Sequence, residues 1–234
     1  MGEAALPDET GVRRVRIGGV RKFIAERMRE SLAHAAQLTF HGEADLTRLL
    51  ELRAGWKAAG VPIGIEDCLI AALARALSEQ PEINGTSDDE AVTIHDAIHV
   101  AIAIAAPDGL KTPVLRDVRG KSLLTLAQER RDLVDRALAK KLQVSEMKGG
   151  TVTLSNLGNS RVRFFTPILN GGQLILLGVG CPQVRPAFAA DGSVVARSYL
   201  GLSLTVDHRI VDGEPAARLL TAICRHIEQF SEEG

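Results

Sequence analysis

The chain has 234 residues, with 28 Lys and Arg against 29 Asp and Glu for a formal net charge of −1. At 45% hydrophobic and 24% charged it is long and apolar enough to bury a core of its own, which excludes a disordered chain. The balanced charge and 3% aromatics give neither the phosphate attraction nor the stacking platforms of a nucleic-acid binder.

Residues 1–19 mix glycine, proline and charge, and read as a linker or lead-in with no apolar run for a signal peptide. From Phe23 a helical period begins, through Ile24, Arg27, Met28 and Leu32. Residues 38–46 favour a strand, and residues 46–59 and 66–80 favour two helices, the second stopped by Pro81. Residues 99–107 form a continuous apolar run ended by Pro107-Asp108-Gly109. That is the pattern of a fully buried strand, and it is too short for the ~18 apolar residues of a membrane span. Residues 111–115 read as one short strand, and Ser122 caps a helix that runs to about residue 140. After Gly149-Gly150 the chain turns strand-rich, with strands at 151–155, 173–179, 184–188 and 194–206. Asp108-Gly109 and Asp191-Gly192 are turn signals. The last helix spans about 213–230, with Pro215 in its first turn and Ala216, Leu219, Ile223, Ile227 and Phe230 at helical spacing. Helices early and strands late predict an α/β sandwich of the α+β type rather than a doubly wound parallel sheet.

The cysteines Cys68, Cys181 and Cys224 are far apart and odd in number. They offer neither a disulfide framework nor zinc spacing, so a reducing compartment, the cytoplasm, is expected. In residues 200–207 Leu200, Leu202, Leu204 and Val206 alternate with Gly201, Ser203, Thr205 and Asp207, which predicts a strand with one packed face. It runs into Asp207-His208-Arg209-Ile210-Val211-Asp212-Gly213 at a strand-to-helix turn. An imidazole there can act as a general base near neutral pH, and a neighbouring carboxylate can orient it. The plainer reading makes Asp212 a helix N-cap, Asp207 with Arg209 a surface pair, and His208 a packed polar residue. Ser155 taken alone simply ends a strand. His34, His41, His95, His99 and His226 read as packing residues, Cys181 and Cys224 as small hydrophobes, and Asn156 and Gly158 as shapers of a turn.

The His-x-x-x-Asp-Gly pattern at His208 resembles the signature of the 2-oxo acid dehydrogenase dihydrolipoyl acyltransferases, shared in looser form by the chloramphenicol acetyltransferases. Three further blocks resemble the same family in the same order: residues 20–28 (VRKFIAERM), 106–117 (APDGLKTPVLRD) with 121–124 (KSLL), and 149–158 (GGTVTLSNLG) with 165–170 (FTPILN). The resemblance covers about residues 15–230 and implies a chloramphenicol acetyltransferase-like two-layer sandwich with a mixed sheet, its catalytic domain at residues 20–234. It implies that His208 takes the thiol proton of coenzyme A or of dihydrolipoamide, and that Ser155 donates a hydrogen bond to the tetrahedral oxyanion. Asp212 would hold the His208 turn through an arginine, with Arg27 as its partner. It further implies a homotrimer, possibly built into a larger cage, in which His208 and Ser155 of neighbouring subunits meet. The lipoyl group would arrive on a domain that these residues do not contain, and lipoyl domains and partner dehydrogenase subunits are the expected partners, without nucleic acid or membrane. A free-standing CoA-dependent acyltransferase with another acceptor, or a catalytically silent scaffold, are the competing readings. Two departures stand out. Gly171-Gly172 replace a pair of prolines, which predicts a looser loop, and Arg161 and Arg163 replace glycine and small or apolar residues. The acyl group is left open among acetyl, succinyl and branched.

Overall fold

The computed structural model describes residue 11, residues 14–88 and residues 90–231. Helix α1 (Gly19–His34) begins four residues ahead of the expected Phe23, and leads into strand β1 (Gln37–Asp45). Two helices follow, α2 (Thr47–Ala58) and α3 (Ile65–Glu79), and Pro81 opens a single 3-10 turn that ends the second. Strands β2 (Gly85–Ser87) and β3 (Val92–Ile94) form a small separate hairpin that sequence periodicity did not show. Three residues are too few to establish an alternation.

The apolar run becomes β4 (Val100–Ala106), and the expected strand at 111–115 is two strands, β5 (Gly109–Lys111) and β6 (Val114–Leu115), both paired with β4. Thr112-Pro113 separates them, because proline has no N–H to continue a ladder; Pro113 contributes only its carbonyl, which accepts from Ile102 N at 2.9 Å. Helix α4 (Leu123–Leu138) is capped as expected, Ser122 Oγ accepting from Thr125 N at 3.1 Å. Strand β7 (Val152–Asn156) precedes the long hairpin of β8 (Ile175–Phe188) and β9 (Val194–Asp207), which closes at residues 189–193. The two strands expected at 173–179 and 184–188 are thus one. An irregularity between Val179 and Pro182 breaks the alternation, and that break reads in the sequence as a gap. Helix α5 (Gly213–Glu228) ends the fold.

The main sheet runs in the order β1-β9-β8-β7-β4-β5, with β6 on the far end of β4. β4, β7 and β8 are mutually parallel and the other pairs antiparallel, a mixed sheet as expected. On one face α3 and α5 pack side by side. Cys68, Leu69, Leu73 and Leu77 from α3 and Leu219, Ile223 and Ile227 from α5 bury against Leu202, Leu204, Val206, Ile175 and Leu177. Each fully buried leucine or isoleucine there contributes about 1.5–3 kcal/mol, so this face supplies the greater part of the core.

The opposite face is polar and is also covered. Residues 200–207 are buried throughout, which corrects the expectation of a single packed face. The cover is an irregular strap, residues 162–170, which crosses β8 and β9 so closely that a Cβ on Gly180 or Gly201 would lie 1.9 or 2.2 Å from the Arg163 carbonyl oxygen. A strap without regular structure cannot satisfy its own backbone, and the polar sheet face does so instead. Cys181 N donates to Val162 O at 2.7 Å, and Phe165 N donates to Ser203 Oγ at 3.4 Å. Leu169 N donates to Gln37 Oε1 at 3.0 Å, while Ser31 Oγ donates to Leu169 O at 2.7 Å. The alternation of Ser203, Thr205 and Asp207 is therefore the trace of a buried polar face, not of a solvated one.

Candidate active site

The turn after β9 is built around Asp207, which is 1% exposed. Its carboxylate accepts from Ala36 N at 3.2 Å, from Arg209 N at 3.1 Å, and from the Arg209 guanidinium at 2.7–3.1 Å. Burial works to raise its pKa, and the Arg209 bonds prevail, holding the carboxyl below the ordinary carboxylate range. The Asp207 carbonyl accepts from both Ile210 N and Val211 N, and His208 N donates to Ala36 O at 2.8 Å. Val211, 4% exposed, pins the turn into the core.

On this fixed base the His208 imidazole projects outward, its side chain 43% exposed, with Nδ1 3.8 Å from Asp212 Oδ1. Asp212 occupies the N-cap position of α5, yet its side chain is 85% exposed and caps nothing. The arginine expected on Asp212 is on Asp207, and it is Arg209. Arg27 lies elsewhere, against Phe23 and Gly171, lining a cleft with Ser31 and Asp207. Read from spacing alone, Asp207 and Arg209 looked like a surface pair. The usable signal was the place of Asp207 on the same strand face as Ser203 and Thr205, now seen to be buried.

Ser155 sits near the end of β7, between Ala103 of β4 and Gly178 of β8. It is half-buried, and its hydroxyl has no hydrogen-bond partner among the described residues. The turn that follows is held by Asn156, whose Oδ1 accepts from Gly158 N at 2.8 Å, and by Leu157 N on Val179 O at 2.8 Å. Asn156 and Gly158 thus shape this turn as expected.

The structure brings His208 to Asp212 but not to Ser155. Ser155 pairs with Gly178, and Gly178 pairs with Ser203, five residues before His208. Five residues along a strand are about 17 Å and two strand spacings about 10 Å, which separates the two residues by roughly 19 Å within one chain. The two side chains therefore do not face a common point within one chain.

Four of the other histidines are engaged in packing. His41 Nδ1 lies 3.0 Å from Ser203 Oγ, His95 Nε2 3.0 Å from Thr86 Oγ1, and His226 Nε2 2.7 Å from Glu79 Oε1. His99 Nδ1 accepts from Asp117 N at 2.9 Å, and burial holds its pKa below the ordinary imidazole range. Burial pushes the Cys68 thiol up to about 12 and the Cys224 thiol up to about 11, so neither is a nucleophile. The Gly171-Gly172 loop is tied to β2 by one backbone hydrogen bond. Both residues have positive φ, 51° and 78°, and Gly172 O accepts from Ser87 N at 2.6 Å. Proline cannot adopt those angles, so the glycines mark a different fixed conformation. Among the described residues no helix is long and apolar enough to cross a membrane.

The family model for the 2-oxoacid dehydrogenases acyltransferase (catalytic domain) matches residues 9–233. The dihydrolipoyllysine-residue acetyltransferase component of the acetoin cleaving system of Bacillus subtilis is 34% identical over 97% of this chain and 58% of its own length. A probable succinyltransferase component of the mitochondrial 2-oxoglutarate dehydrogenase complex of Schizosaccharomyces pombe is 36% identical, over 92% of this chain and 49% of its own length. The chain therefore spans about half the length of these relatives. Among solved structures, one of Azotobacter vinelandii dihydrolipoamide acetyltransferase superposes with a TM-score of 0.88 at 31% identity, covering 96% of each chain. It was studied for the role of one serine, one histidine and one asparagine in the catalytic mechanism, the last two four positions apart. The cubic core of the pyruvate dehydrogenase multienzyme complex gives the same TM-score, identity and coverage. A chloramphenicol acetyltransferase, at 22% identity and a TM-score of 0.55 over 88% of this chain and 93% of its own, shares the fold. With a family model spanning nearly its whole length, the chain belongs to the acyltransferase catalytic domains of the 2-oxoacid dehydrogenases.

Proposed function

We propose that this domain transfers a short acyl group between the thiols of dihydrolipoamide and coenzyme A, as the core acyltransferase of a 2-oxo acid dehydrogenase complex. The observation that carries the reading is the His208 turn, an exposed imidazole on a base that Asp207 and Arg209 lock from below. His208 takes the proton from the incoming thiol, and the thiolate attacks the thioester carbonyl without an acyl-enzyme. The negative charge moves to the carbonyl oxygen, where the otherwise unpartnered Ser155 hydroxyl donates to it. Collapse expels the second thiolate, which recovers the proton from the imidazolium. Asp212 Oδ1 stands 3.8 Å from His208 Nδ1 and faces the ring as the proton is transferred. Residues 1–19 serve as lead-in to the catalytic unit at 20–234, coenzyme A enters as substrate, and the lipoyl group arrives on another domain.

The separation of about 19 Å between Ser155 and His208 gives the unit of function, since two copies must supply the two halves of each site. A closed trimer does this with every subunit equivalent, and the match to a cubic core supports further assembly with partner dehydrogenase subunits. Three free thiols, two of them buried, accord with a reducing cytoplasm.

An acyl-CoA panel with dihydrolipoamide as acceptor tests the reaction. Transfer that does not depend on dihydrolipoamide would favour a free-standing acyltransferase, and no transfer at all a silent scaffold. Co-expression of His208→Ala with Ser155→Ala chains tests the shared site. Random mixed trimers regain about a quarter of the wild-type sites, whereas a site held within one chain regains none.

A further inference from the structure

We propose that Glu66, held by Arg130, is a positioning residue for the Ser155 hydroxyl and acts through Asn156. The inference rests on the reading of Ser155 as the oxyanion donor.

The first turn of α3 carries two adjacent carboxylates, Glu66 and Asp67. Asp67 is fully buried, and its Oδ2 accepts from Gly64 N at 2.7 Å, which satisfies the start of the helix. A buried carboxylate needs a cation, and Arg130 of α4 supplies it. Its Nε donates to Asp67 Oδ1 and its Nη2 donates to Asp67 Oδ2 at 3.2 Å. Helix capping and charge balance are complete with these two residues.

Glu66 is surplus to both needs, yet it is the carboxylate that reaches the site. Its Oε2 accepts from Arg130 Nη1 at 3.2 Å, and its Oε1 accepts from Asn156 Nδ2 at 3.4 Å. The Asn156 side chain is thereby held at both ends, since its Oδ1 accepts from Gly158 N. Asn156 directly follows Ser155, and it is the last residue of β7 to pair with β8. The side chain of Asn156 is what continues the restraint beyond the ladder. A relay Asp67–Arg130–Glu66–Asn156 thus ties two helices of the core to the peptide that carries the Ser155 hydroxyl. An oxyanion donor is effective only when it is aimed before the charge develops, so loosening this relay reduces turnover and leaves ground-state binding alone.

The test is a double-mutant cycle of Glu66→Ala and Ser155→Ala in the assembled protein, with kcat counted per folded trimer. Glu66→Ala leaves Arg130 paired with Asp67, so the variant should fold, whereas Arg130 substitutions would strand the buried Asp67. Ser155→Ala alone should lower kcat by about 10²–10³-fold with little change in KM. Glu66→Ala alone should lower kcat by about 10-fold, with KM for both thiols unchanged. Glu66→Gln keeps an oxygen for Asn156 but turns an amide NH2 toward Arg130 Nη1, so it should recover only part of that loss. In the Ser155→Ala background, Glu66→Ala should cost nothing further. Wild-type kcat in Glu66→Ala, or the same 10-fold loss in both backgrounds, overturns the relay and leaves Ser155 standing. Wild-type kcat in Ser155→Ala removes the donor itself, and the relay with it.

Discussion

Asp207→Asn tests the claim that this carboxylate, rather than Asp212, organises the histidine turn. The substitution preserves shape and one oxygen, so Ala36 N and Arg209 N keep their acceptor at Oδ1. It places an amide NH2 at the other position, where Arg209 Nη2 now donates at 2.7 Å. A charge-assisted bond becomes a contact between two donors, beside a guanidinium that no longer meets a charge on residue 207. Arg209 is about one-third exposed and can swing toward water, so the cost falls below that of a fully buried pair. About 2–3 kcal/mol is expected. At about 2–4 °C per kcal/mol for a domain of this size, Tm should drop by roughly 5–10 °C. The pH dependence has a definite sign. Because the folded pKa of Asp207 is lowered, the pair stabilises fully above the unfolded value of about 3.9 and is lost as pH falls through the folded one. The Tm gap between wild type and variant should therefore be full at pH 7 and narrow below about pH 4. Calorimetry at one fixed protein concentration measures both, and kcat of the folded variant should fall as His208 loses its base. A Tm within about 1 °C of wild type at pH 7, with kcat retained, would refute the reasoning.

Other perturbations sort the same residues. His208→Ala should leave oligomer and Tm nearly unchanged while activity falls at least ~10²-fold, as sedimentation and a steady-state assay will show. Asp212→Asn should alter stability by less than ~0.5 kcal/mol, because the side chain is 85% exposed and caps nothing, and should retain most of kcat. Gly172→Ala should cost at least ~1–2 kcal/mol by denaturant unfolding, from its positive φ and a Cβ 2.6 Å from Ser87 O.

Elements with strong local signals were legible. The Ser122 cap, the Pro81 stop, the Asp191-Gly192 turn and the apolar stripe of α5 are each decided by residues a few positions apart. What escaped was decided across the chain. The strand at 111–115 splits at Thr112-Pro113, where the proline can give β4 its carbonyl but no N–H, and β8 runs unbroken because β9 carries it over the irregularity at Val179–Pro182. The burial of both faces of β9 depends on a strap that arrives from residues 162–170, and the strap has no periodicity to read. Its imprint lay in Ser203 and Thr205, whose small hydroxyls looked like a solvent face.

The site was legible by residue type and not by place, and sheet topology supplies the reason. Ser155 and His208 both stand at the C-terminal ends of strands, where open parallel sheets gather their functional groups. β7 is parallel to β8, but β9 returns antiparallel through a hairpin, so the same chemical ending falls at opposite ends of the sheet. Had β9 been reached by a helical crossover, the two residues would share one edge and one subunit could hold a complete site. The hairpin at residues 189–193 excludes that arrangement. With the proposed roles for His208 and Ser155, the chain places base and oxyanion donor in different sites, and catalysis becomes conditional on assembly. The polar face reinforces the division, since the strap that covers it lies between the Ser155 end and the His208 end and is bonded to both β8 and β9. Loss of either half-site by dissociation should therefore abolish turnover while leaving each turn folded, because Asp207 with Arg209, and Asn156 with Glu66, are satisfied within one chain.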